Sequence, residues 1–242
     1  MRTAAIDDRH LPPASAAHET RVNSVLRPIV FGANDGLVSN LALVMGVAGA
    51  TSDAAFIVLA GIAGLIAGAF SMGVGEYISV QSQRELLDYQ VAFQRKQLRE
   101  APEQERAILA GIYLERGFSP DEADRFVDAV FDEEDHAVRH LIFEEVGLDE
   151  RSIGSPVTAA LGSFVAFTMG AFVPLAPYLL LAGAAAFVGS LGISLVALAV
   201  LGTGIALLTR RPIPYGAARQ VLLGGAAAAV TYGVGTLLGV TV

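Results

Sequence analysis

Cysteine and tryptophan are absent from this 242-residue chain, and lysine occurs once, at Lys96, among 16 basic residues. Without cysteine there is no disulfide framework, no thiolate zinc site and no iron–sulfur ligation. Charge is also scarce: 17% of residues are Asp, Glu, Lys or Arg, against 53% in the apolar set. An average soluble domain carries about 25% charged residues, so an ordinary water-soluble fold is excluded. The scarcity is uneven. Eighteen of the 24 acids and nine of the 16 bases lie between Gln81 and Ser152, which gives that block net −9 and the remainder about +1. With its only large polar region acidic, the chain offers no basic face for phosphates, and nucleic acid is not an expected partner.

What is present is a set of long apolar runs. Residues 1–27 form a polar tail with His10, His18 and the pair Pro12-Pro13; it reads as loosely ordered, with no signal-peptide core. Two apolar stretches follow, 29–50 and 54–80, separated only by Thr51, Ser52 and Asp53. Each exceeds the roughly 20 residues that cross a hydrocarbon core. After the acidic block, 156–209 is free of charge for 54 residues, twice the length of one span. Pro174 and Pro177 predict a turn inside it, with spans near 157–175 and 179–208, and a last span covers about 217–240. The expectation is an all-α integral membrane protein with five transmembrane helices in the lipid bilayer. It divides into a tail (1–27), a transmembrane hairpin (28–80), a helical insert (81–152) and spans three to five (153–242).

The bases test that count, because cytoplasmic flanks collect arginine and lysine. The tail has four, the insert nine, the loop after span four three, and the other loops none. All therefore fall on one side, which predicts a cytoplasmic N-terminus and insert and an outside C-terminus. The preference for arginine over lysine and the abundant alanine fit a bacterial chain, whose host membrane would be the plasma membrane.

Within the insert, the first helix continues from span two to about Glu100 and stops before Pro102. A second, about 103–116, ends at Gly117. Ser119-Pro120-Asp121-Glu122 supplies an N-cap, a first-turn proline and a glutamate at the third helical position, opening a third helix that breaks near 132–135 and ends at Gly147. Leu86, Leu87, Leu98, Ile108, Leu109, Ile112, Phe126, Val130, Leu141 and Ile142 supply its apolar faces.

Two ionisable residues lie inside the apparent spans, Asp35 and Glu76. Each costs about 2.5–3.5 kcal/mol or more near the centre of a lipid-facing helix, so such groups face a bundle interior, a cavity or an ion route. Met72 shares a helical face with Glu76, and Gly68, Gly64 and Ala60 continue the row; Gly32, Gly36 and Asn40 form a similar row in span one. Carboxylates with one thioether, and no thiol or imidazole, suit a borderline divalent cation such as Fe(II) or Mn(II). The plainer alternatives are a helix-break signal at Asn34-Asp35-Gly36, a headgroup-level Glu76 paired with Arg84, and a gap-filling Met72. In the insert, Asp132, His136, His140 and Glu144 recur every fourth residue, which makes a metal-ligating stripe if the helix is unbroken. Glu100, Glu103 and Glu105 around Pro102, and the pair Glu144-Glu145, are further candidate ligands that would raise the local cation concentration. A solvated acidic face is the alternative. Two functions remain: a transporter of divalent metal, or a membrane-anchored metal buffer or sensor without transport. An enzyme is not expected, since the spans offer one aspartate and no other catalytic equipment. No resident cofactor is expected.

The segments Gly32-Ala33-Asn34-Asp35-Gly36-Leu37-Val38-Ser39, Ser71-Met72-Gly73-Val74-Gly75-Glu76-Tyr77 and Gly170-Ala171-Phe172-Val173-Pro174-Leu175 together resemble the vacuolar iron transporter family, and the resemblance extends over about 27–240. It implies a homodimer of five-span subunits that exports Fe(II), often Mn(II), from the cytosol in exchange for protons, through a pore where spans one and two of both subunits meet. The family's pore aspartate and methionine map onto Asp35 and Met72, and one insert glutamate maps onto Glu145. Plant members carry a further pore glutamate where this chain has Gly64, and Glu76 would take over its task.

Overall fold

A computed structural model describes the backbone of residues 14–146 and 153–239 and the side chains of 26–144 and 153–239. Among the described residues all regular structure is helical. In chain order the helices are α1 (Ala14–Ala50), α2 (Ala54–Glu100), α3 (Pro102–Glu115), α4 (Pro120–Val130), α5 (Glu134–Leu141), α6 (Pro156–Leu180), α7 (Gly183–Leu208) and α8 (Ile213–Leu238). A π-helical turn, Ile142–Val146, follows α5. Five helices are long and apolar enough to cross a membrane: α1 from Leu26, α2, α6, α7 and α8. The chain forms two compact units, one of Val25–Ile78 with Pro156–Val242, the other of Met1–Ser24 with Ser79–Ser155.

In the membrane-spanning unit α6 is the most enclosed helix and α2 and α8 are the least. The seam between α1 and α6 is set by Gly36 and Gly170. A Cβ at Gly36 would collide with the Phe167 carbonyl and the Ala171 nitrogen, and one at Gly170 with the Ala33 carbonyl and the Leu37 nitrogen. Only hydrogen at both positions lets the two backbones touch. Leu37, Leu41, Val44 and Met45 of α1 then bury against Ile57, Tyr178, Ala186, Leu198 and Ala228. Phe56, Leu59, Ile62, Ile66, Phe70 and Val74 leave one side of α2 exposed and apolar.

Two expectations about helix boundaries are corrected. The turn predicted at 174–178 lies after Leu180: α6 continues through both prolines, with the Leu181 N–H donating to the Pro177 carbonyl at 2.8 Å. Pro174 is fully buried, and the Ser190 hydroxyl of α7 donates to its carbonyl at 2.6 Å, so the proline-bearing turns are held by their neighbours. The chain reverses instead at Gly183, whose φ of +58° is left-handed. The second correction concerns the tail: α1 begins at Ala14 and passes through Pro28, so 14–27 is helix rather than loose chain.

The insert unit packs Leu87, Leu98, Leu109, Tyr113, Val127, Val130, Val138, Leu141 and Ile142 into one core. Leu86 and Ile108, expected among its apolar faces, are exposed. Gly117, at φ +93°, ends α3. The Glu122 carboxylate accepts from the Ser119 N–H at 3.0 Å and the Ser119 hydroxyl at 2.6 Å, which opens α4 as the capping pattern requires. The helix break falls at 131–133. Beyond it Arg95–Asp135 (2.7 Å) and Arg99–Glu134 (2.9 Å) tie the first turn of α5 to α2.

Candidate functional site

Asp35 and Asn40 lie five positions apart on α1, and Gly64 and Met72 eight positions apart on α2. Helical spacing, together with Phe167 from α6, brings these positions to one open cleft of about 270 Å3 lined by Asp35, Ser39, Asn40, Leu43, Gly64, Gly68, Ser71, Met72 and Phe167. Asp35 is half-buried. Its backbone carbonyl accepts from the Ser39 hydroxyl at 2.5 Å, while among the described residues its carboxylate has no ion pair. Met72, like Phe164 and Leu65, packs against the buried cluster of Ala69, Phe167 and Ala171. The Phe167 ring fills the space that a side chain at Gly68 would need. A carboxylate, a thioether, two hydroxyls and an amide thus share a wall that is otherwise apolar, an arrangement able to receive a partly hydrated cation.

Of the three residues singled out in the first two spans, Asp35 and Met72 line this cleft and Glu76 does not. Arg84, considered as a partner for Glu76, donates to the Gly154 carbonyl at 3.1 Å. The row Gly32, Gly36, Asn40 serves the α1–α6 seam: Gly32 lies against Ser163, and Asn40 donates to the Ala171 carbonyl. Ser39 and Ser71 could have been found from the sequence, one turn from Asp35 and next to Met72. Phe167 could not, because nothing local says which α6 residue reaches Gly68.

The insert's candidate ligands are dispersed. Among the described residues no three His, Asp or Glu side chains converge as a metal site would require. Asp132 sits in the break, outside the helix that carries His136 and His140, so the four-residue stripe is interrupted. Glu144 is held by both guanidinium nitrogens of Arg116, and its side chain is 6% exposed. The Tyr113 hydroxyl lies 2.5 Å from His140 Nε2, and Glu144 lies 3.9 Å from the same atom. Burial, reinforced by the Glu144 charge, pushes the Tyr113 phenol up to about 12, against the opposing pull of Arg116. Burial also holds His140 below its ordinary range, with His136 and Arg116 acting the same way and Glu144 opposing. The phenol and the imidazole share one hydrogen bond, whose direction is set by the His140 tautomer. Glu105 is 4% exposed and accepts from Gln94 Nε2 at 2.6 Å, which turns it inward. Glu100, 3.8 Å from Lys96, and Glu103 are exposed. The side chain of Glu145 lies outside the described residues.

Comparison with known proteins adds an independent line. The model of the VIT family matches residues 26–236. A vacuolar iron transporter from Toxoplasma gondii is 30% identical over 234 residues, covering 91% of this chain and 76% of the relative. Vacuolar iron transporter 1 of Arabidopsis thaliana is 31% identical over 179 residues, 74% of this chain and 72% of the relative. A vacuolar iron transporter from Acanthamoeba castellanii is 34% identical over 218 residues, 88% and 78% respectively.

Proposed function

The chain belongs to the VIT family, and on that premise we propose that it is a proton-coupled exporter of divalent transition metal, Fe(II) and also Mn(II), from the cytoplasm. The observation that carries this reading is the pairing of Asp35 and Met72 on one cleft inside the membrane-spanning unit. A carboxylate without an ion-pair partner in such surroundings is costly unless a mobile cation or proton uses it. The thioether favours a transition metal over an alkali or alkaline-earth ion. The same carboxylate serves proton exchange, since a group that releases metal is free to take up a proton.

Two copies of the chain, joined through α1 and the exposed apolar side of α2, would bring two such clefts together as a homodimer pore, with Glu76 near its mouth. The insert, cytoplasmic by the distribution of bases, would gather cations through the exposed Glu100, Glu103 and His136 and through Glu145, with Glu105, His140 and Glu144 joining only if their bonds to Gln94, Tyr113 and Arg116 exchange for metal. If the chain is bacterial, the membrane is the plasma membrane.

The test is iron uptake into inside-out vesicles from cells that make the full chain. Asp35→Ala should abolish uptake, and transport at the wild-type rate would end the proposal. The rival, a membrane-anchored buffer or sensor, draws on the insert's being a compact unit of its own. It predicts metal binding with no flux in proteoliposomes under a pH gradient.

A further inference from the structure

Asn40 lies near the middle of the span Leu26–Ala50 and is 2% exposed. Its Nδ2 donates to the Ala171 carbonyl of α6 at 2.6 Å, which fixes the plane of the amide. Its Oδ1 is buried and has no hydrogen-bond partner among the described residues. Buried polar atoms are nearly always paired, and leaving one unpaired costs as much as losing a hydrogen bond. Oδ1 faces Gly64: a Cβ there would sit 3.0 Å from it, and Leu43 Cδ2 covers the same spot. Asn40, Leu43 and Gly64 all line the cleft that holds Asp35 and Met72. Along the helix axes Asn40 lies about 7.5 Å beyond Asp35, and Gly64 about 12 Å beyond Met72.

Resting on the transport reading above, we propose that Asn40 is a second coordination point for the cation, supplying a neutral oxygen one step beyond Asp35. Ser163 Oγ, Ser194 Oγ and the Tyr178 hydroxyl are also buried without partners among the described residues, but none of them lines the cleft. A hydroxyl can rotate towards a carbonyl of its own helix, whereas Oδ1 cannot turn away without breaking the bond to Ala171. Asn34 Oδ1, the other buried amide oxygen without a partner among the described residues, is likewise off the cleft. An amide oxygen resembles a water ligand: it replaces one hydration oxygen of a hard or borderline divalent ion without adding charge. It therefore receives an ion released by the Asp35 carboxylate and lets it go again. The missing side chain at Gly64 leaves room for the ion once Leu43 rotates aside.

The experiment is Mn(II) uptake by the full chain in proteoliposomes, with initial rates measured against concentration at a fixed pH gradient. Asn40→Ala should lower the maximal rate about tenfold or more, on the scale of one lost contact to a charged group, with little change in half-saturation because Asp35 still captures the ion. Asn40→Asp keeps an oxygen, loses the donor and adds charge; it should lower both the half-saturating concentration and the maximal rate. A residue that merely ties α1 to α6 is damaged equally by both substitutions. Equal losses at unchanged half-saturation, or Asn40→Ala at the wild-type rate, would overturn the assignment. Should Asn40→Ala fail to fold, Asn40→Asp decides alone: tighter half-saturation supports the assignment and an unchanged value overturns it. Wild-type protein that moves no metal sinks the transport reading and this assignment together. An active wild type that is indifferent to Asn40 sinks only the assignment.

Discussion

A methyl group added at Gly36 should force α1 and α6 apart. Its carbon would lie 2.9 Å from the Phe167 carbonyl carbon and 3.0 Å from the Ala171 nitrogen, with the Phe167 oxygen closer still. All three are backbone atoms of one helix, so no rotamer change relieves the contact. Restoring carbon contacts of about 3.5–4.0 Å requires α6 to shift by about 1 Å. Overpacking costs about 1–3 kcal/mol, and a rigid backbone neighbour argues for the upper half of that range. Alanine recovers up to about 1 kcal/mol of helix propensity, leaving Gly36→Ala destabilised by about 1–2 kcal/mol. Gly75 provides the control, because nothing lies within 4 Å of a Cβ built there. Gly75→Ala keeps the propensity gain alone, so the two variants should differ by about 2–3 kcal/mol. At about 2–4 °C per kcal/mol, their melting temperatures should separate by about 4–12 °C. Circular dichroism of the detergent-solubilised full chain measures this. The same shift stretches the 2.6 Å bond from Asn40 to Ala171 towards its limit, so transport by Gly36→Ala should fall as well. Coincident melting curves for the two variants would refute the claim that the helices meet backbone to backbone.

Two further predictions concern the insert. With the Tyr113 phenol pushed up to about 12, the folded state holds this proton more tightly than the unfolded chain, whose phenol titrates near the ordinary value of 10.0. Its contribution is complete below that pH and is lost as pH rises through about 12; absorbance at 295 nm should show one tyrosine ionising last, and Tyr113→Phe should remove that step. His140 works in the opposite direction. Its folded pKa lies below the ordinary 6.5, so the unfolded chain binds the proton more readily and stability falls as pH drops below that value. Hydrogen exchange in α3 and α5 should quicken on acidification, and His140→Gln should flatten the dependence; an equally steep acid limb in that variant would show that another group is responsible.

Much of the architecture was legible because its signals are local. Run length alone identifies five spans, and the insert's breaks follow from Pro102, Gly117, Ser119-Pro120 and the acidic 132–135 segment, each acting within a turn of itself. The isolation of Asp35 among apolar residues marked it without any knowledge of its neighbours, and Met72 followed from helical spacing. What failed in the sequence depended on partners. Pro174 and Pro177 look like a turn until α7 is placed beside them, when Ser190 and close packing let the helix run on to Leu180.

The acidic residues make the same point. Glu100, Glu103, Glu105 and Glu144 are equivalent as letters, yet Gln94 turns Glu105 inward, Arg116 engages Glu144, and the others stay in water. Composition and period thus determined which segments are helices and which of them suit a bilayer, since burying apolar length and satisfying backbone bonds within a segment need no partner. The tertiary structure decided where α6 ends, that Phe167 lines the cleft beside Gly68, and that the Asn40 side-chain oxygen faces Gly64 without a partner among the described residues. Those outcomes depend on distances between residues far apart in the chain, which no local pattern encodes.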